Sequence, residues 1–161
     1  MDFAAFLETF SAAVSRADAE GFSALFTEDA CYRDGFFGAH HGRAAIGAML
    51  LRFHEGGERL AWQFLEPLSD GTLGYARYVF SYRSRQPESA GRLIAFDGIA
   101  RMRLQGGLIA DYAEAFDRGS AFTVLGYAGP RVLKLLDRYA AQMENSAPVR
   151  EHLAWREARG L

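Results

Sequence analysis

The first third of the chain carries apolar residues at helical spacing. Phe3, Phe6, Leu7, Phe10 and Val14 fall at i, i+3, i+4, i+7 and i+11, which predicts one amphipathic helix over residues 2–16. Asp18 is a suitable N-cap for a second, shorter helix burying Phe22, Leu25 and Phe26. Thr27-Glu28-Asp29 breaks that pattern, and residues 30–34 read as a short strand. Gly35, Gly38 and Gly42 then surround a loop holding Phe36, Phe37, His40 and His41. A third helix presents Ile46, Met49, Leu50 and Phe53 on one face and stops at Gly56-Gly57. From residue 60 the period becomes strand-like, over 60–68, 72–85, 92–105 and 108–117. Asp70-Gly71 and Gly106-Gly107 between these runs are hairpin signals.

This order predicts an α+β fold: a curved antiparallel sheet wrapped around N-terminal helices. The whole chain, 1–161, is read as one domain, with a core of about 3–117 and a helical C-terminal extension over 118–161. Within the extension, Val132, Leu135, Leu136 and Tyr139 mark an amphipathic helix, with Pro130 suited to its first turn. It is expected to pack on the domain or on a partner subunit.

Composition narrows the function. Thirteen Phe and seven Tyr are enough to fill a core and also line a cavity. The net charge is −2 and the arginines form no run, so neither a nucleic-acid footprint nor a polybasic membrane patch is expected. The short, charge-interrupted apolar stretches do not span a bilayer, and the Met1-Asp2-Phe3 start lacks a signal-peptide pattern. A single cysteine, Cys31, suits a reducing cytoplasm. Four histidines without ligand spacing predict no structural metal.

Three stretches resemble the nuclear transport factor 2-like superfamily, which includes SnoaL-like cyclases, ketosteroid isomerase and limonene epoxide hydrolase. They are Ala24-Leu25-Phe26-Thr27-Glu28-Asp29-Ala30, Gly42-Arg43-Ala44-Ala45-Ile46, and residues 107–117 from Gly107 to Asp117. The resemblance implies a cone-shaped fold with an internal pocket for a small apolar ligand, no cofactor, and a homodimer formed across the outer sheet face. Limonene epoxide hydrolase implies site positions at Tyr32, Asp34, Arg77 and Glu114. Val79 stands where that family's middle-strand Asp would be, and it cannot donate a proton to an opening epoxide. Against ketosteroid isomerase, Asp34 falls on the proton-shuttling carboxylate. Phe10 and the Gly98-Ile99 region stand where that enzyme's oxyanion donors would be.

Alternation along the last strand puts Ala110, Tyr112, Glu114 and Phe116 on one face. A carboxyl between Tyr112 and Phe116 would be desolvated and become a better base. Glu114 is therefore the candidate base, with Tyr32 and Asp34 sharing a proton or holding water and Arg77 compensating charge. Phe96, Met102, Phe10, Tyr112, Phe116 and the loop residue His40 are candidate pocket residues. Each has a plainer alternative: Glu114 in a structural pair with Arg77, Asp34 starting a turn, Tyr32 in the core, His40 on an exposed loop. For Arg77, strand alternation with Tyr78, Phe80 and Tyr82 points outward, whereas the family register, which is preferred, points inward. The expected function is a small-molecule pocket protein that moves a proton or adds water on an apolar substrate, with a non-catalytic binding or dimer-scaffold domain as the alternative.

Overall fold

The computed structural model describes residues 2–161 and is α+β. Helix α1 (Phe3–Arg16) begins where Asp2 accepts hydrogen bonds from the amides of Ala4 and Ala5. The apolar stripe of α1 is buried at Phe3, Leu7, Phe10 and Val14. Helix α2 (Ala19–Ser23) is capped by Asp18, which accepts from the Gly21 amide, and α3 spans Gly42–Gly56. Six strands follow one another in space as β2-β1-β6-β5-β4-β3. In chain order they are β1 (Phe26–Asp34), β2 (Gly38–His41), β3 (Gly57–Ser69), β4 (Leu73–Ser84), β5 (Leu93–Gln105) and β6 (Leu108–Phe116). Every pairing is antiparallel except β1 with β6, which is parallel.

Two segments depart from the predicted elements. Thr27-Glu28-Asp29 does not end the chain's regular structure but lies within β1, where the pairing to β6 is irregular between Phe26 and Cys31. The glycine-rich loop contains β2, which folds back on β1 and sets His40 opposite Tyr32. Its hairpin chemistry is compressed into Gly35-Phe36-Phe37, too short a turn to stand out from the surrounding glycines.

The concave face of the sheet packs on α1, α2 and α3 around Phe10, Phe22, Phe26, Tyr32, Ile46, Leu50, Tyr78 and Tyr112. A second cluster, Ile94, Phe122 and Leu125, sits toward one end of the sheet. It is covered by α4 (Arg118–Val124) and α5 (Gly129–Glu144), the latter through Val132, Leu135 and Tyr139. A final helix, α6 (Ala147–Glu157), contributes no buried residue. Among the described residues no helix is long and apolar enough to cross a membrane.

Candidate functional site

A cavity of about 220 Å³ lies between the concave sheet face, α3 and α5. Its walls are aromatic, including Phe36, Trp62, Phe80, Phe96 and Phe122. Two carboxyls, Asp34 and Glu114, reach it.

The parallel β1–β6 pairing brings these acids together. Tyr32 stands beside Tyr112, and their rings stack with centroids 4.2 Å apart. Because side chains two residues apart share a strand face, Asp34 and Glu114 project toward the same space. The segment between them ties them. Gly35 donates its amide to Glu114 Oε1 at 3.1 Å, while Asp34 Oδ1 accepts from the amides of Phe36 (2.8 Å) and Phe37 (2.6 Å). Gly35 is also where the Phe116 ring closes over the backbone, since a Cβ there would lie 2.1 Å from a ring carbon.

The two acids differ in electrostatics. Burial pushes Glu114 up to about 8, and the charge of Asp34 adds to the rise. The Gly35 amide and the phenols of Tyr112 and Tyr78 counter it. Burial also raises Asp34 above the usual carboxylate value, but two backbone amides, and then His40 and Arg118, pull it back. At neutral pH Glu114 holds its proton.

Three phenols surround Glu114. Tyr112 donates to Glu114 Oε2 at 3.3 Å. Tyr78 also faces Glu114, but its hydroxyl makes no hydrogen bond of acceptable geometry, and neither does the hydroxyl of Tyr32. Burial first, and then the neighbouring Glu114, hold the Tyr78 phenol well above its ordinary pKa, while the phenol draws that of Glu114 down. The Nε1 of Trp62, a cavity-lining residue, is likewise buried without a partner. Buried donors left unmade cost about 1–3 kcal/mol each; of the three residues only Trp62 lines the cavity, and Tyr32 and Tyr78 belong to the core behind it. Tyr78 reaches this position because its cross-strand neighbour is Gly98, where a Cβ would lie 2.7 Å from the Tyr78 hydroxyl. Gly98 is the position where the ketosteroid isomerase comparison left a donor missing; a phenol from the adjacent strand occupies that space.

Several expected site residues are placed elsewhere. Arg77 is on the outer sheet face, half-exposed, beside Glu66 at 3.5 Å and Asp97 at 3.9 Å. The β4–β5 register runs without a bulge from Leu73 to Arg83, so strand alternation decides its direction and the inward expectation is corrected. No Glu114–Arg77 pair exists. Phe96 lines the cavity, whereas Phe116 stacks behind it at 5.1 Å. Phe10, Met102, Tyr112 and Tyr32 are fully buried core residues and do not line the cavity. His40 also stays off the wall; its Nδ1 accepts from Arg52 at 3.3 Å.

The sequence reading missed Tyr78 as a polar group, Trp62 as a wall with a free donor, and the cover supplied by α5. Helix α5 contributes Arg131, Leu135, Arg138 and Tyr139 to the cavity. It is anchored by the Tyr139 hydroxyl donating to the Phe36 carbonyl at 3.1 Å and by Arg118, whose guanidinium lies 4.3 Å from the Tyr139 ring centre. Among the described residues no three His, Cys, Asp or Glu side chains cluster as a metal site requires.

Residues 7–112 match the family of SnoaL-like domains. No curated protein matches the chain. Among solved structures, a hypothetical protein with a ketosteroid isomerase-like fold from Catenulispora acidiphila, in complex with trimethylamine, is similar at 18% identity. It covers 76% of this chain and 93% of that one, with a TM-score of 0.69. An LEH-like epoxide hydrolase from M. tuberculosis is 18% identical over 81% of this chain and 91% of its own, with a TM-score of 0.62. TerC, co-crystallised with polyporic acid, is 15% identical over 76% of this chain and 96% of its own, with a TM-score of 0.64. At these identities the likeness is one of fold.

Proposed function

Because this chain belongs to the family of SnoaL-like domains, we propose that its cavity binds a small, largely apolar ring compound and moves a proton on it. The observation that carries this is the pair Asp34 and Glu114 in one aromatic cavity, with Glu114 pushed up to about 8 and Asp34 held by two amides. Two carboxyls with separated proton affinities are what an acid–base division of labour needs. Asp34, the more readily ionised, is the base that takes a proton from carbon next to a carbonyl. Glu114, protonated, donates to the carbonyl oxygen as charge develops there. Return of the proton from Asp34 to another carbon completes an isomerisation and leaves both acids as they began. This exchanges the roles first expected for the two acids, because burial acts harder on Glu114. Neighbours crystallised with trimethylamine and polyporic acid support a small-ligand pocket. A homodimer across the outer sheet face belongs to the same reading, supported by Tyr75 and Ile99 exposed there.

The test is deuterium exchange at the benzylic carbon of 2-tetralone in D₂O, followed by NMR. The protein accelerates the exchange; Asp34→Asn and Glu114→Gln each slow it by roughly a hundredfold or more. The rate falls as pH rises through about 8, where Glu114 loses its proton. Absence of acceleration, or rates indifferent to both substitutions, favours instead a non-catalytic binding domain. The specific observation on that side is that Asp34 already accepts two amides in a turn of its own making.

A further inference from the structure

The cavity is polarised from one side to the other. Its buried walls, Leu60, Trp62, Phe80, Phe122 and Leu125, are apolar. At its solvent side stand exposed arginines from two different helices, Arg52 on α3 and Arg131 and Arg138 on α5. Their states are unequal. Arg131 is engaged, bonded to Glu88 at 2.6 Å and stacked over Tyr127 with 3.7 Å to the ring centre. Among the described residues no carboxylate lies within 4.0 Å of the guanidinium of Arg52 or of Arg138. Arg52 has only the acceptor His40 Nδ1, an imidazole that burial first, and then the Arg52 charge, hold below its ordinary pKa. Arg138 has only the Tyr139 ring, 5.8 Å away. Two guanidiniums without a counter-charge therefore flank the opening of an aromatic slot.

At the other side, the protonated Glu114 carboxyl is a hydrogen-bond donor on the cavity wall. A ligand suited to both sides has an acceptor oxygen at the inner end, a flat apolar body, and a planar oxyanion at the outer end, which guanidinium recognises through paired N–H groups. The cavity volume limits the body. A space of about 150 Å³ holds benzene, so about 220 Å³ admits one substituted ring or two fused ones.

Resting on the pocket reading above, we infer that the protein selects anionic ring compounds, aromatic or fused-ring carboxylates in particular, with Arg52 and Arg138 holding the anion at the opening. An aromatic box with two acids would, by itself, fit an organic cation equally well through cation–π contact. The arginine pair and the protonated Glu114 decide against it, because a cation would meet two like charges on the way in and one acid that carries no charge.

Three probes of one shape separate these cases: 2-naphthoate, 2-naphthalenemethanol and 2-naphthylmethylammonium, titrated into the full-length protein by calorimetry at low and high salt. The naphthoate is expected to bind tighter than the alcohol by about tenfold, as charge-assisted hydrogen bonds at a partly exposed site allow, with the preference shrinking as salt rises. In the Arg52→Gln/Arg138→Gln double variant the naphthoate-to-alcohol ratio should fall toward one, and in Arg52→Lys/Arg138→Lys it should be partly restored. Equal affinity for naphthoate and alcohol overturns the anion selectivity while leaving the apolar pocket standing. Tightest binding of the ammonium probe overturns it in favour of a cation site. Binding of none of the three overturns both this inference and the pocket reading. Circular dichroism of the variants, whose changes lie on exposed side chains, guards against misfolding as the cause.

Discussion

Tyr78 and Gly98 face each other across β4 and β5, and the absence of a side chain on one is what gives the other its place. A Cβ on residue 98 would sit 2.6 Å from the Ala115 carbonyl oxygen and 2.7 Å from the Tyr78 hydroxyl. The first of these is backbone and cannot turn away. Gly98→Ala should therefore lower the urea midpoint, at a cost of about 1–3 kcal/mol typical of overpacking, and displace the phenol from Glu114. An unchanged midpoint would show that the two strands separate more easily than their register implies. The same pair illustrates what one chain of letters can and cannot convey. Alternation made it legible that Tyr112, Glu114 and Phe116 share a face, because strand period is local. It likewise pointed Arg77 outward, and the comparison with a relative's motif, not the pattern, led inward. Tyr78 looked like another core aromatic, since its polar role depends on the residue opposite it, which only sheet register fixes.

At the scale of elements, α5 and α6 are both helices of the C-terminal extension without a fully buried residue, but they do different work. Helix α5 covers Ile94, Phe122 and Leu125 and reaches the cavity through Leu135 and Tyr139. Helix α6 follows α5 and buries no residue. Removing residues 146–161 should leave the melting temperature within about 2 °C, the range expected of surface changes in a chain of this size. Removing 129–161 should lower it clearly and abolish binding of apolar probes. Equal effects of the two truncations would mean that α6 carries support its exposure does not reveal. The helical period of α5 announced an apolar face, but not what the face would cover. Arg52 and Arg138 meet at one opening only because α3 and α5, far apart in sequence, approach the same end of the sheet. The strand β2 was hidden for a similar reason: four residues of small and imidazole side chains have no pattern of their own and are a strand by virtue of pairing with β1.

At the scale of the whole molecule, the buried acid couples stability to pH. Folded Glu114 keeps its proton to about pH 8, whereas a carboxyl at its ordinary value of 4.5 releases it far earlier. Between these values the native state binds more protons than the unfolded chain, so this contribution is complete below 4.5 and is lost as pH rises through about 8. Asp34, also raised, acts in the same direction. The wild-type urea midpoint should fall across that window, each pH unit being worth up to about 1.4 kcal/mol, and Glu114→Gln should flatten much of the slope. A wild-type profile that is already flat would contradict the burial of this carboxyl.

The parallel pairing of β1 with β6 has one more consequence, and it concerns time. Asp34 and Glu114 belong to the first and last strands of the chain's sheet, and Gly35 bonds Glu114 across 79 positions of sequence. The hairpins β3–β4, β4–β5 and β5–β6 close over short loops, which are quick to form. The β1–β6 contact closes the longest loop in the sheet and carries the largest entropic cost, so it has most to gain from partners already in place. The two acids thus meet only when the architecture around them is built. A folding order in which the local hairpins form first would bring these two carboxyls together last.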